Sequence, residues 1–250
     1  MAFITLRFES GYLGKNVAVN IVRPDKEING VLYLLHGLSD DESIYMRRSS
    51  IERYAEKEKL MVIMPNGDRY FYTDTPGCGR YFSFITKELP ARMQSTFADF
   101  PTDRAKTFIG GISMGGYGAL KAALRCPEQY SSVLCLSGAF DICTMAESSF
   151  LGGKDWWQSI LGDVSAARGG SEDVFALAEK RKAEGVELPR ITMWCGESDF
   201  ILDQSRRMYK HLNDLGYNVS YAESAGSHCW DSWDPALENF IPIITKEWTV

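Results

Sequence analysis

The run from residue 107 to residue 125 constrains this chain most. An apolar segment, Thr-Phe-Ile-Gly-Gly, passes through Ile-Ser-Met into Gly-Gly-Tyr-Gly and then into an Ala- and Leu-rich helical stretch. A serine framed as Gly111-x-Ser113-x-Gly115 between a buried strand and a helix marks a tight strand-to-helix turn. Serine takes strained backbone angles in such a turn, and side chains two positions to either side would strike neighbouring backbone, so glycine is needed there. The turn pushes the Ser113 hydroxyl out of the sheet at the head of a helix, where the Met114 amide points at the place an oxyanion would form. In a chain with 22 glycines the bare pattern is weak. Its context strengthens it: an apolar strand before, a helix after, and further glycines at Gly110, Gly116 and Gly118.

The rest of the chain alternates in the way such a turn requires. Two strand-like stretches, 2–9 and 15–23, come first and are joined through Gly11 and Gly14. Short apolar runs at 31–36, 60–65, 107–111, 132–137 and 191–195 read as strands covered on both faces, and 217–223 as a last strand. Helical patterns fall at 49–59, 113–125, 202–215 and 235–248. This order predicts an α/β fold: a mostly parallel central sheet, helices on both faces and an antiparallel N-terminal edge. One domain spanning 1–250 is expected, since no linker, repeat or low-complexity tract interrupts it. The stretch 139–190, with Trp156, Trp157 and several glycines, lacks strand character and reads as a lid or substrate-loop excursion.

A formal charge of −6 without a basic patch argues against nucleic acid or an anionic membrane as partner. No charged segment followed by an apolar run opens the chain and no apolar run is long enough to span a bilayer, so a cytoplasmic protein is expected. The cysteines at 78, 126, 135, 143, 195 and 229 form no C-x-x-C pair and are expected as reduced thiols, with Cys135 and Cys195 as small buried hydrophobes. With three histidines and these spacings, no metal site is expected.

A serine nucleophile needs a base, and three histidines allow elimination. His211 lies in a helical register among charged neighbours and is expected to face solvent. His36 precedes the serine, at a strand end. His228, in Ser-Ala-Gly-Ser-His-Cys-Trp, sits on a loop after the last strand and is the candidate base. For the acid that orients its imidazole, Asp199 in Cys-Gly-Glu-Ser-Asp-Phe follows the strand 191–195 and is preferred. Asp203 and Asp141 remain rivals. His-Gly-Leu-Ser at 36–39 follows the first parallel strand, and its loop offers the Leu38 amide as a second oxyanion donor beside Met114, with His36 as scaffold. Cys229, adjacent to the histidine, points poorly for a nucleophile.

The ordered set His-Gly-Leu-Ser, Pro-Asn-Gly, Gly-Gly-Ile-Ser-Met-Gly-Gly-Tyr-Gly-Ala-Leu, Ser-Gly-Ala-Phe-Asp, Cys-Gly-Glu-Ser-Asp-Phe and Gly-Ser-His-Cys-Trp resembles the esterase D family of α/β-hydrolases. That family includes S-formylglutathione hydrolases, tributyrin-type esterases, and acetyl-xylan and feruloyl esterases. The resemblance implies the α/β-hydrolase fold, Ser113, Asp199 and His228 as triad, and no cofactor. Around the histidine the chain departs from the Tyr-Asp-His-Ser of S-formylglutathione hydrolases, and His228-x-Trp230-x-x-Trp233 is more similar to tributyrin and acetyl or feruloyl esterases. The expectation is therefore a serine carboxylesterase acting on small-molecule short-chain acyl or aryl esters, with homo-oligomerisation left open. A thioesterase, an acyltransferase and a non-catalytic binding protein on the same fold are the alternatives. Tyr72 and its aromatic neighbours in the loop 66–84, with Trp156, Trp157 and Trp230, are candidate pocket walls; packing of the loops is the competing reading.

Overall fold

The computed structural model describes residues 1–75 and 79–246. The strands β1 (Ala2–Ser10) and β2 (Lys15–Arg23) pair antiparallel, Ala2 opposite Arg23 through Ser10 opposite Lys15. Burial alternates along β1, as it does for an edge strand with one face in water. The same sheet continues with β3 (Gly30–Leu35), β4 (Leu60–Pro65), β5 (Thr107–Ile112), β6 (Ser132–Leu136), β7 (Arg190–Gly196) and β8 (Val219–Ser224). Across the sheet the order is β1-β2-β4-β3-β5-β6-β7-β8, with β2 antiparallel to β4 and all pairings from β4 to β8 parallel. The expected α/β-hydrolase architecture, parallel centre and antiparallel N-terminal edge, is what the chain adopts.

Alternate residues of the central strands feed two separate cores, because successive strand side chains point to opposite faces. Val31, Tyr33 and Leu35 join Ile109, Val133, Cys135, Ile191 and Met193 in one layer. Leu32 and Leu34 join Phe108, Ile112, Leu134, Leu136 and Trp194 in the other. The main helices are α1 (Ile51–Glu58), α2 (Leu89–Thr96), α3 (Met114–Arg125), α4 (Ile142–Glu147), α5 (Gly153–Leu161), α6 (Val174–Glu184), α7 (Leu202–Asp214) and α8 (Trp230–Thr245). Helices α3, α6 and α7 pack on the first layer; α1 and α8 pack on the second.

The structure departs from the sequence reading most at two helices, and it shows what the excursion between them is made of. The helical stretch Tyr81–Thr96 runs where part of an aromatic loop was expected, with a π turn at Phe84–Glu88. That wider turn directly precedes Pro90, whose ring would clash with a carbonyl in an unbroken α-helix. The excursion 139–190 is largely helical, through α4, α5, Val164–Ala167 and α6. Finally, α8 begins at Trp230 instead of Pro235, because its buried stripe of Trp233, Ala236, Leu237, Ile241 and Ile244 already starts ahead of the proline. Cys78, and the end of the helix expected to reach residue 248, lie outside the described residues. Among the described residues no helix is long and apolar enough to cross a membrane.

Candidate active site

Ser113 caps α3 with φ 53° and ψ −118°, a left-handed conformation that a serine does not choose freely. Its geometry is held by close backbone packing. A Cβ on Gly111 would stand 2.5 Å from the Gly115 carbonyl carbon, and one on Gly115 would stand 2.0 Å from the Leu35 carbonyl oxygen. These two glycines let α3 start against the end of β3. The Ser113 amide donates to Leu136 O at 2.9 Å, and its own carbonyl accepts from Tyr117 and Ala139. The backbone is thus fixed from both neighbouring strands, and the hydroxyl alone is left to reach outward.

Three loops bring the partners together at the C-terminal edge of the sheet. His228 Nε2 lies 3.0 Å from Ser113 Oγ, and His228 Nδ1 lies 2.9 Å from both Asp199 carboxylate oxygens. Asp199 Oδ1 also accepts from the Ile201 amide at 3.0 Å. Its carboxylate is fully buried, whereas the His228 side chain keeps 18% of its surface. Burial alone would push the Asp199 carboxyl up, but the His228 hydrogen bond and the Ile201 amide outweigh it and hold the group below the usual range. An ionised Asp199 facing Nδ1 fixes the tautomer that leaves Nε2 free to accept from serine.

The rival acids are engaged elsewhere. Asp203 is exposed and pairs with Arg207 one helical turn on, at 2.8 Å. Asp141 caps α4 through the Thr144 amide and bonds Arg207 at 2.8 Å. His211, expected at the surface, is instead partly buried and bonds the Phe175 carbonyl through Nε2 at 3.1 Å.

The loop after β3 passes directly beside the serine: a Cβ on Gly37 would stand 3.6 Å from Ser113 Cβ. Leu38 follows it, and Met114 is the first residue of α3, where helix geometry leaves the amide without an intrahelical acceptor. His36 is buried, bonds the Gly37 carbonyl through Nδ1 at 2.7 Å and accepts from the Gly67 amide through Nε2 at 2.8 Å. Burial holds its pKa below the ordinary value, so the ring is a neutral strut for this loop.

Two of the candidate pocket walls prove to be packing residues. Tyr72 is fully buried and donates to the His36 carbonyl at 3.0 Å, supporting the loop from behind. Trp157 is fully buried against Phe71 and Trp156 and donates to the Phe150 carbonyl at 2.6 Å. Neither presents surface to a substrate. Trp156 stays part-exposed, with the Arg69 guanidinium 5.5 Å above its ring. Trp230 is also part-exposed, edge-on to Tyr45 and Trp233. What sequence reasoning missed is Phe200: its ring centroid lies 4.5 Å from that of His228, and it is 60% exposed. Its place directly after Asp199 was the available signal.

Residues 10–242 match the family model Esterase. The chain belongs to this esterase family. It is 30% identical to the acetyl esterase of Caldicellulosiruptor saccharolyticus, over 98% of this chain and 99% of the relative. Among solved structures it is similar to the fluorophosphonate-binding serine hydrolase FphF of Staphylococcus aureus, at 30% identity and a TM-score of 0.90, covering 98% of this chain and 99% of that one. It is also similar to the S-formylglutathione hydrolase FrmB of Staphylococcus aureus, at 29% identity and a TM-score of 0.88, with the same coverage. Fold, family and relatives together make this esterase a serine-dependent carboxylic ester hydrolase.

Proposed function

We propose that the esterase cleaves short-chain acyl or aryl esters through an acyl-enzyme on Ser113, with His228 as general base and Asp199 as its orienting carboxylate. The observation that carries this reading is the hydrogen-bonded chain from Ser113 Oγ through His228 to the buried Asp199 carboxylate. Ser113 Oγ attacks the ester carbonyl as His228 Nε2 takes its proton. The Met114 and Leu38 amides receive the oxyanion, and His228 then protonates the departing alcohol. Water repeats the sequence and frees the acid. No step needs a cofactor.

A short acyl group is favoured because Tyr72 and Trp157 are packed solid and extend no wall around the serine. Of the aromatic candidates, part-exposed Trp230 is the better placed for substrate, since its ring meets Trp233, which in turn lies edge-on to the His228 ring. The segment 139–190 acts within a single domain as the substrate-side excursion. Likeness to the S-formylglutathione hydrolase FrmB makes a polar thioester the second reading. The deciding experiment compares kcat/KM for p-nitrophenyl acetate, butyrate and octanoate, methyl ferulate and S-formylglutathione. Acetate or butyrate should lead. A lead for the octanoate overturns the short-chain reading, and a lead for S-formylglutathione moves the assignment to the thioesterase.

A further inference from the structure

Phe200 and Phe150 are large apolar side chains left in water, 60% and 44% exposed, with ring centroids 6.1 Å apart. Neither exposure reflects a loose backbone. Phe200 sits between Asp199, whose carboxylate accepts the Ile201 amide, and Ile201, which is 2% exposed. Phe150 is held by its amide on the Met145 carbonyl at 2.9 Å and by Trp157 Nε1 on its own carbonyl. The residues on either side, Ser149 and Leu151, have φ of 55° and 70°. Two left-handed non-glycine residues flanking a single position are costly, and here they frame Phe150, whose ring meets that of Phe200.

Sheet order decides which part of an ester this pair would meet. Ser113 directly follows β5; the Gly37–Leu38 loop follows β3 on one side of it, while Asp199 and His228 follow β7 and β8 on the other. A carbonyl oxygen drawn toward the Leu38 and Met114 amides therefore points to the β3 side. The leaving oxygen must lie within hydrogen-bonding reach of His228 Nε2, on the opposite side. Phe200 lies against the His228 ring there, and Phe150 continues the surface from the excursion.

Resting on the esterase reading above, we propose that Phe200 and Phe150 form the leaving-group subsite and select esters of apolar alkyl or aryl alcohols. The two rings are inclined by 55° to each other and so do not make the flat platform a sugar ring stacks on. They also offer no polar atom to a peptide thiol. The acyl group, on the far side of the scissile bond, is not touched by them.

Two isomeric esters separate these sides: hexyl acetate carries its chain on the alcohol, ethyl hexanoate on the acyl group. Relative to ethyl acetate, the unaltered esterase should favour hexyl acetate in kcat/KM. Phe150→Ala and Phe200→Ala should each lower the hexyl acetate to ethyl acetate ratio by about tenfold, the scale of losing one apolar contact in a binding pocket. The ethyl hexanoate to ethyl acetate ratio should change by less than about twofold on the same scale. Because Phe200 also touches His228, Phe200→Leu serves as the conservative variant and should restore most of the hexyl preference. An unaltered protein indifferent to the alcohol chain, or variants whose acyl ratio falls instead, overturns the subsite. Phe200→Leu remaining as poor as Phe200→Ala while Phe150→Ala leaves the ratio intact does so too. A protein that hydrolyses ethyl acetate yet lacks the preference refutes only the subsite, whereas one that hydrolyses no ester at all removes the reading beneath it.

Discussion

Trp233 Nε1 donates to Ser137 Oγ at 3.1 Å, tying the helix after the histidine loop to the turn after β6. Ser137 is fully buried at φ 48°, and its hydroxyl faces Asp199 and helps hold that carboxyl below the usual range. The Trp233 ring in turn lies edge-on to His228, with centroids 4.8 Å apart. His228 and Asp199 are thus braced by one tryptophan and one serine.

Ser137→Ala should accordingly act through Asp199. A hydrogen bond to a charged carboxylate is worth about 1.5 kcal/mol or more, which scales to about tenfold in rate. The expectation is a fall of that size in kcat on p-nitrophenyl acetate with KM nearly unchanged. A rise in KM at constant kcat would assign Ser137 to binding instead.

Asp40 gives a pH signature in stability. It stands beside Gly37 in the loop next to the serine, and burial pushes its carboxyl up to about 6 despite the opposing pull of Arg47. A carboxyl raised in the folded state binds protons more tightly there than in the unfolded chain, whose value is near 3.8. Its contribution is complete below about pH 4 and is lost as pH rises through about 6. Asp40→Asn should therefore raise the melting temperature at pH 8 and lose that gain at pH 4. Discounted for the part of the side chain that water still screens, the gain is about 1 kcal/mol, or roughly 2–4 °C. An equal shift at both pH values would contradict the assignment.

Lys121 tests how the excursion is fastened. Its side chain is fully buried on α3, and its ammonium bonds Glu172 at 2.5 Å and the Phe71 carbonyl at 3.2 Å. Burial pushes Glu172 up, but Lys121 and Arg125 outweigh it and keep the group ionised. Glu172→Ala strands a cation in the core and should cost about 3 kcal/mol, whereas Lys121→Met with Glu172→Leu should recover most of the loss. Thermal unfolding of the single and double variants measures it. Additive losses in the double variant would show that the pair is not coupled.

How much of this was legible in the sequence varies with the physics of each feature. The turn at Ser113 was readable because glycine at 111 and 115 is a steric necessity that leaves a written trace. His228 emerged by counting, since only three histidines exist. Asp199, Asp203 and Asp141 all followed or flanked suitable strand ends, and only loop conformation brought the first to His228 while Arg207 took the other two. Aromatic residues misled for a general reason: Tyr72 and Trp157 have the composition of a pocket and the burial of a core, and spacing does not distinguish the two. The Phe200–Phe150 pair joins residues from separate loops, so no local pattern announced it.

The acid assignment is open to direct test. Asp199→Asn should keep the fold, by circular dichroism, and lower kcat on p-nitrophenyl acetate by about 10⁴-fold, since an amide can hold the wrong imidazole tautomer. Asp203→Asn should keep near-normal kcat, as it removes one exposed ion pair. A dead Asp203 variant beside an active Asp199 variant would transfer the role.

Hydrolysis of p-nitrophenyl acetate by folded Ser113→Ala tests the central claim most directly. The account predicts a loss of at least about 10⁴-fold in kcat/KM, leaving only what oxyanion donors and binding supply. A folded variant retaining more than a few per cent of the activity would contradict Ser113 as nucleophile.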